Sequence, residues 1–252
     1  MCRLFVSNSN KSMIESLYKS LVEASNYDIF NGGRKHDTGW GYFIVNPDIS
    51  LYYKTSTPIF KDKALLNLSD NSKYYAIFHS RLAAEGQPVR GFIDSHPYLI
   101  HTSTGLIALA HNGIVDKNII SKDVNLNPKL YTDSEILGFL VSKFDKGTEN
   151  IDKILYQVNK YIKDVGAFIG TFNVIAIKID RFYDTVKISS ACISDYPEED
   201  ENNYKKMILI KNKNGSAAMS STVAYYYGLL DSSGKITNKD SIICEKGLPY
   251  II

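Results

Sequence analysis

The stretch MCRLFVSN, Met1 to Asn8, opens the chain and poses its central question. Leu4, Phe5 and Val6 form a short apolar, strand-prone run, and a thiol stands directly behind the initiator methionine. Two readings are open. Cysteine is small and often buried, so the position can be simple packing. Alternatively, removal of Met1 makes Cys2 the first residue, with a nucleophile and a free α-amine on one carbon. Position 2 alone does not choose between them.

The bulk properties narrow the field. A chain of 252 residues forms one large domain or two small ones. A single domain of this size buries roughly 70–75% of its unfolded surface, so it needs no disulfide or metal staple. The net charge of +2 argues against nucleic acid as an obligatory partner. The basic stretch NYKKMILIKNKNG (203–215) reads as a solvated strand face and hairpin. The three cysteines, Cys2, Cys192 and Cys244, are odd in number and far apart, which is no disulfide framework. No CxxC pair or Cys/His cluster points to a metal, and no cofactor is expected. Neither a signal peptide nor a membrane-length apolar run is visible. A reducing, cytoplasmic setting is therefore expected, with the thiols free.

Working outward from Cys2, KSMIESLYKSLVEASNYDIF (11–30) carries apolar residues at helical spacing: Met13, Leu17, Leu21 and Ile14, Tyr18, Val22. NGGRKHDTGWG (31–41) is a glycine-rich loop. WGYFIV (40–45) and LYYKTS (51–56) read as strands. PIFKDKALLNLS (58–69) reads as a helix opened by proline. YYAIFHSRLA (74–83) and GLIALAHNG (105–113) are strands that run into polar residues. DSEILGFLVSKF (133–144) and NIDKILYQVNKYIKDV (150–165) are amphipathic helices, with Asp133 placed as an N-cap. TFNVIAIKI, TVKISSACIS, KKMILIKN and GSAAMSS read as consecutive antiparallel strands with an NKNG hairpin signal. DYPEEDENN (195–203) reads as an exposed acidic loop. Helices and mostly antiparallel strands around one core make an α+β class, organised as a single domain over residues 1–252.

Four polar motifs recur at strand ends or helix starts: HSR (79–81), SHPY (95–98), HNG (111–113) and TDSE (132–135). Taken singly, each has an ordinary structural explanation. Arg81 suits an ion pair, Asn-Gly suits a hairpin turn, and Thr-Asp-Ser-Glu suits a helix N-terminus. Together, and in this order behind an N-terminal cysteine, they resemble the class II glutamine amidotransferases, which are N-terminal nucleophile hydrolases. The loop GRKHDTGWGY is similar to that of the short stand-alone members. The motifs occupy roughly the first 135 residues; the later strands are compatible but uninformative. The resemblance implies a four-layer αββα sandwich, with two mostly antiparallel sheets between helical layers.

It also implies hydrolysis of the glutamine side-chain amide through a γ-glutamyl thioester on Cys2, and the residue chemistry agrees. A primary amide is a poor electrophile, so the thiol needs a base. A lysine of pKa about 10.4 is almost wholly protonated near neutral pH, whereas an α-amine of pKa about 7.7–8.0 is substantially neutral. The amine of a processed Cys2 would thus serve as base for its own thiol. By resemblance, the Asn112 side chain and the Gly113 N–H form the oxyanion hole. Arg81 takes the substrate α-carboxylate, for which a guanidinium is suited, and Asp133 takes the α-ammonium. His96 and Trp40 are expected at the pocket, as a neighbouring support and a wall or lid. Arg3 is expected to have a structural or electrostatic role and His79 and His111 a supporting or structural one, while Cys192 and Cys244 are expected to be buried apolar residues in the late strands. No acceptor-synthesising module is visible. Ammonia then goes to a separate synthetase subunit or to solvent, or the substrate is a γ-glutamyl amide conjugate. A non-catalytic glutamine-binding module is the remaining alternative.

Overall fold

The chain is described by a computed structural model over residues 2–64, 66–70, 72–83, 88–197 and 203–252. The N-terminal half contains β1 (Arg3–Asn10), α1 (Lys11–Asn26), β2 (Trp40–Val45), β3 (Ser50–Thr55) and β4 (Lys73–Ser80). β5 (Tyr98–His101) and β6 (Gly105–Val115) follow, then α2 (Lys117–Ile120), α3 (Asp133–Phe144) and α4 (Ile151–Asp164). The last third contains β7 (Phe168–Arg181), β8 (Val186–Asp195), β9 (Met207–Asn212), β10 (Gly215–Ser220) and α5 (Ser221–Tyr226). Two short strands, β11 (Ser241–Ile243) and β12 (Pro249–Ile251), close the chain.

The strands form two sheets, ordered β11-β9-β10-β1-β4-β2-β3 and β12-β8-β7-β6-β5. Every pairing within them is antiparallel. Three apolar clusters define the layers. Met13, Leu17 and Leu21 of α1 pack with Phe5, Phe78 and Met219 on the outer face of the larger sheet. Ile136, Leu140, Ile154 and Val158 of α3 and α4 cover Leu109, Val174 and Ile193 of the smaller one. Leu4, Val6, Ile77, Ala108, Ala110 and Ile175 fill the space between the sheets. The result is the four-layer αββα sandwich.

Side-chain alternation along a strand decides which residues meet across that central layer. Leu4 and Val6 face the second sheet while Phe5 faces α1. Cys2 therefore falls on the inner side and Arg3 on the helix side. On β6, Ala108 and Ala110 face inward while Ile107 and Leu109 face the helices. Asn112 thus shares the inner side with Cys2. β1 is central in its sheet, between β10 and β4, which fixes the start of the chain on both flanks.

Several sequence expectations are corrected. Among the described residues of 58–69 no α-helix forms; Ile59–Lys61 make a single 3-10 turn. Asp62 is the reason, since its carboxylate accepts Trp40 Nε1–H at 2.8 Å, Tyr53 O–H at 2.7 Å and the Ala64 N–H at 3.1 Å. The first helix stops at Asn26. The N-cap of α3 is Thr132, whose side chain accepts the Glu135 N–H, and Asp133 is the first helical residue. Asn112-Gly113 is not a turn but lies within β6, which pairs with β7 on through Gly113↔Phe172. The four late strands split into two pairs, β7–β8 in one sheet and β9–β10 in the other. Asp195, at the start of the expected acidic loop, is buried and paired with Lys163; residues 198–202 of that loop lie outside the described residues. No helix among the described residues is long and apolar enough to cross a membrane.

Candidate active site

The nucleophile candidate sits where the two sheets meet. The Cys2 nitrogen donates to Asn112 Oδ1 at 2.8 Å, linking the start of β1 to β6. The Leu82 N–H points at Cys2 Sγ from 3.4 Å, and the thiol faces the Leu82 carbonyl at 3.7 Å. Asn112 is buried, and its Nδ2 has no partner among the described residues. A buried amide donor left open is costly unless something accepts from it. One side chain therefore holds the Cys2 nitrogen with its oxygen and keeps its N–H₂ unused.

These groups line a narrow cavity of about 70 Å³, together with Arg81, Asp94, His96, Gly113 and Asp133. Gly113 is required for a reason other than turn geometry. A Cβ there would lie 1.7 Å from the Thr171 carbonyl oxygen of β7, so the neighbouring strand itself excludes any side chain.

Arg81 is 5% exposed. Its Nη2 donates to the Pro88 carbonyl at 2.6 Å, Nη1 has no partner, and it forms no ion pair among the described residues. A buried guanidinium without an anion is an incomplete arrangement that favours an incoming carboxylate. Its backbone is braced by the loop before β2: Arg81 N donates to Gly39 O at 2.8 Å, and Thr38 Oγ1 donates to Arg81 O at 3.0 Å. Thr38 Oγ1 also accepts the Ala83 N–H at 2.9 Å. Asp133 is 7% exposed, and its carboxylate accepts the Val115 N–H at 3.3 Å. It is the first residue of α3 and so sits at the positive end of that helix.

His96 lines the cavity, and its ring lies 4.0 Å from that of His79. Burial lowers the pKa of His79, His96 and His111, and neighbouring positive groups push the first two further down. His111 Nδ1 contacts Ser134 Oγ at 3.1 Å. His96 and His111 line the cavity and His79 lies behind His96; their lowered pKa values favour neutral imidazoles, with no carboxylate or thiol hydrogen-bonded to them among the described residues.

Trp40 is placed elsewhere. It faces α1, fully buried in a stack with Tyr42, Tyr53 and Phe78, and takes no part in the cavity. The expected wall or lid is therefore corrected, because β2 turns Trp40, Tyr42 and Ile44 to the helix side.

Sequence reasoning missed the cluster on the far side of Arg3. Arg3 Nε donates to Asp28 Oδ2 at 2.7 Å, and its guanidinium carbon lies 3.9 Å from the Tyr204 ring centroid. Asp28 also contacts His36 Nε2 at 2.8 Å and accepts from Thr222 Oγ1 at 2.6 Å. Burial works against the Asp28 charge, but Arg3, His36 and Thr222 hold its pKa below the usual value. Burial pushes His36 down to about 4. The only signal in the sequence was the Asp28–His36 spacing around the glycine loop. Cys192 and Cys244 are buried in the central layer, as expected.

No family model matches the chain. An amidophosphoribosyltransferase of Methanocaldococcus jannaschii is 29% identical over 144 residues, covering 54% of this chain and 30% of that protein. A solved structure described as the allosteric regulatory enzyme of purine biosynthesis superposes with a TM-score of 0.62 at 16% identity, over 90% of this chain and 43% of that one. In its motifs the chain resembles the class II glutamine amidotransferases. Its sandwich is the N-terminal nucleophile hydrolase fold. The chain spans less than half the length of either relative. A predicted glutamine amidotransferase from Pseudomonas aeruginosa matches along all of this chain and 93% of its own, at 13% identity and a TM-score of 0.45, too low to add to the argument.

Proposed function

We propose that the chain hydrolyses the side-chain amide of glutamine to glutamate and ammonia, with Cys2 as nucleophile. The observation that carries this reading is Asn112, bonded through Oδ1 to the Cys2 nitrogen at 2.8 Å with Nδ2 buried and unused. With Met1 attached, that nitrogen is a peptide N–H. After its removal the same nitrogen is an α-amine, held beside the thiol and titrating near neutrality.

The amine takes the Sγ proton, and the thiolate attacks the δ-carbonyl carbon. Negative charge grows on the carbonyl oxygen, where Asn112 Nδ2 and the Gly113 N–H receive it. Collapse of the tetrahedral adduct breaks the C–N bond. The proton returns from the amine to the departing nitrogen, which leaves as ammonia, and a γ-glutamyl thioester remains on Cys2. Water, deprotonated by the same amine, attacks the thioester and releases glutamate and the thiol. Arg81 receives the substrate α-carboxylate on its open Nη1, and Asp133 receives the α-ammonium. His96 supports the pocket from beside His79 without exchanging protons.

On this reading residues 1–252 act as one cytoplasmic hydrolase domain, mature from Cys2, without a cofactor. It works as a stand-alone glutaminase or passes ammonia to a separate synthetase subunit. The test is intact mass before and after a glutamine-analogue electrophile, with ammonia release from wild type and Cys2→Ala. Loss of Met1, a single adduct on Cys2 and no turnover in a folded Cys2→Ala support the reading. Full activity with Met1 retained, or in Cys2→Ala, overturns it. Cleavage of γ-glutamyl amines but not glutamine would keep the chemistry and change the substrate.

A further inference from the structure

A second cavity, of about 500 Å³, lies between the free edges of the two sheets. β3 ends the larger sheet and β5 the smaller. Tyr52 and Lys54 come from β3, Tyr98 from β5, Glu135 and Phe139 from α3, and Phe92 from the 3-10 turn Gly91–Asp94. Its size is within the usual range for small-molecule sites, roughly 300–1,000 Å³. Its walls are tied together: Tyr52 O–H donates to Pro97 O, and Lys54 Nζ to Ile93 O, each at 3.0 Å.

The cavity carries one charge of each sign. Lys54 and Glu135 feel each other, yet neither enters an ion pair among the described residues. Burial pushes Lys54 down to about 8 and raises Glu135, and the attraction between them is too weak to cancel either shift. Lys54 Nζ also lies 4.7 Å from the Tyr98 ring centroid. Two opposite, half-desolvated charges held apart gain most from a ligand that is itself a dipole of opposite sense. A simple anion would meet Glu135, and a simple cation would meet Lys54.

We propose that this cleft is a second ligand site, for a free amino acid with a large apolar side chain. Its carboxylate lies on Lys54, its ammonium on Glu135, and its side chain among Tyr52, Phe92, Tyr98 and Phe139. The site stands on the cleft alone and does not depend on Cys2 chemistry. It touches the catalytic cavity at Tyr98, whose O–H contacts Thr132 Oγ1 at 2.8 Å and the Asp94 carbonyl at 3.3 Å; both residues line that cavity, and Thr132 caps the helix that begins with Asp133.

The test is calorimetric titration of the full chain with L-phenylalanine, 3-phenylpropionate and phenethylamine. L-phenylalanine is expected to bind saturably with a Kd on the order of 1 mM or tighter. Each analogue lacks one charge and is expected to bind at least about tenfold more weakly, as is L-phenylalanine to folded Lys54→Met and Glu135→Gln. Binding is expected to survive a covalent block on Cys2. Absence of saturable binding, equal affinity for the three ligands, or loss of binding in the blocked protein overturns the proposal. The ligand series on wild type decides the matter even where a variant fails to fold.

Discussion

On the proposed mechanism Asn112 has two tasks in one side chain, and its substitutions separate them. Asn112→Asp keeps an oxygen for the Cys2 nitrogen but loses the open donor; Asn112→Ala loses both. Loss of an oxyanion donor typically costs about 2.7–4 kcal/mol of transition-state stabilisation. Steady-state kinetics of Asn112→Asp is therefore expected to show kcat lower by about 100- to 1,000-fold with KM little changed. A KM effect alone would assign Asn112 to substrate binding. Gly113→Ala acts differently: with 1.7 Å between the new Cβ and Thr171 O, β6 must move off β7. Denaturant unfolding is expected to show a loss of about 1–3 kcal/mol or more. At this scale the motifs were informative because chemistry dictates the residue types. Cys2, Asn112, Gly113, Arg81 and Asp133 all line one cavity. Trp40 was misjudged because every residue of β2 is buried, so apolar pattern gives no sign of which face a side chain takes.

At the scale of elements, α3 depends on its cap. Thr132 Oγ1 accepts the Glu135 N–H at 3.1 Å and also meets Tyr98 O–H. Thr132→Ala is expected to cost about 1 kcal/mol, read as a lower midpoint in urea. Because Asp133 is the next residue, a raised KM for glutamine is expected with it. Helices α3 and α4 were legible from periodicity, since both lie on a sheet with one apolar stripe. The segment at 58–69 shows the opposite case. Its propensity favours helix, but Asp62 satisfies Trp40 and Tyr53, and three hydrogen bonds to one partly buried carboxylate outweigh a short run of good helix formers. No local signal in those twelve residues reveals partners that come from β2 and β3.

For the whole molecule, the buried imidazoles set the response to acid. His36, His79, His96 and His111 have pKa values below the usual one. They stay neutral in the folded chain while the unfolded chain takes up protons below about pH 6.5. The unfolded state then binds more protons, so stability is full above that pH and falls as the pH drops toward the folded values. Each histidine contributes a slope of about 1.4 kcal/mol per pH unit within its window. Urea midpoints are expected to fall steeply from about pH 6, before carboxylates such as Asp28 titrate; a flat profile down to pH 4.5 would show that these rings are charged or solvated in the folded chain. The layering itself was not legible from period alone. Two sheets and two helical layers came from family resemblance, because alternation says which residues share a face but not which face they meet.

The position of β1 has a kinetic consequence. β1, which begins directly after Cys2, hydrogen-bonds from Leu4 to Ser220, 216 residues away. During synthesis it stands with one flank bare until residues 215–220 leave the ribosome, and it completes only as the last third of the polypeptide arrives. Such distant pairing raises contact order and slows folding, so the thiol-bearing end is assembled late, after much of the remaining scaffold has formed.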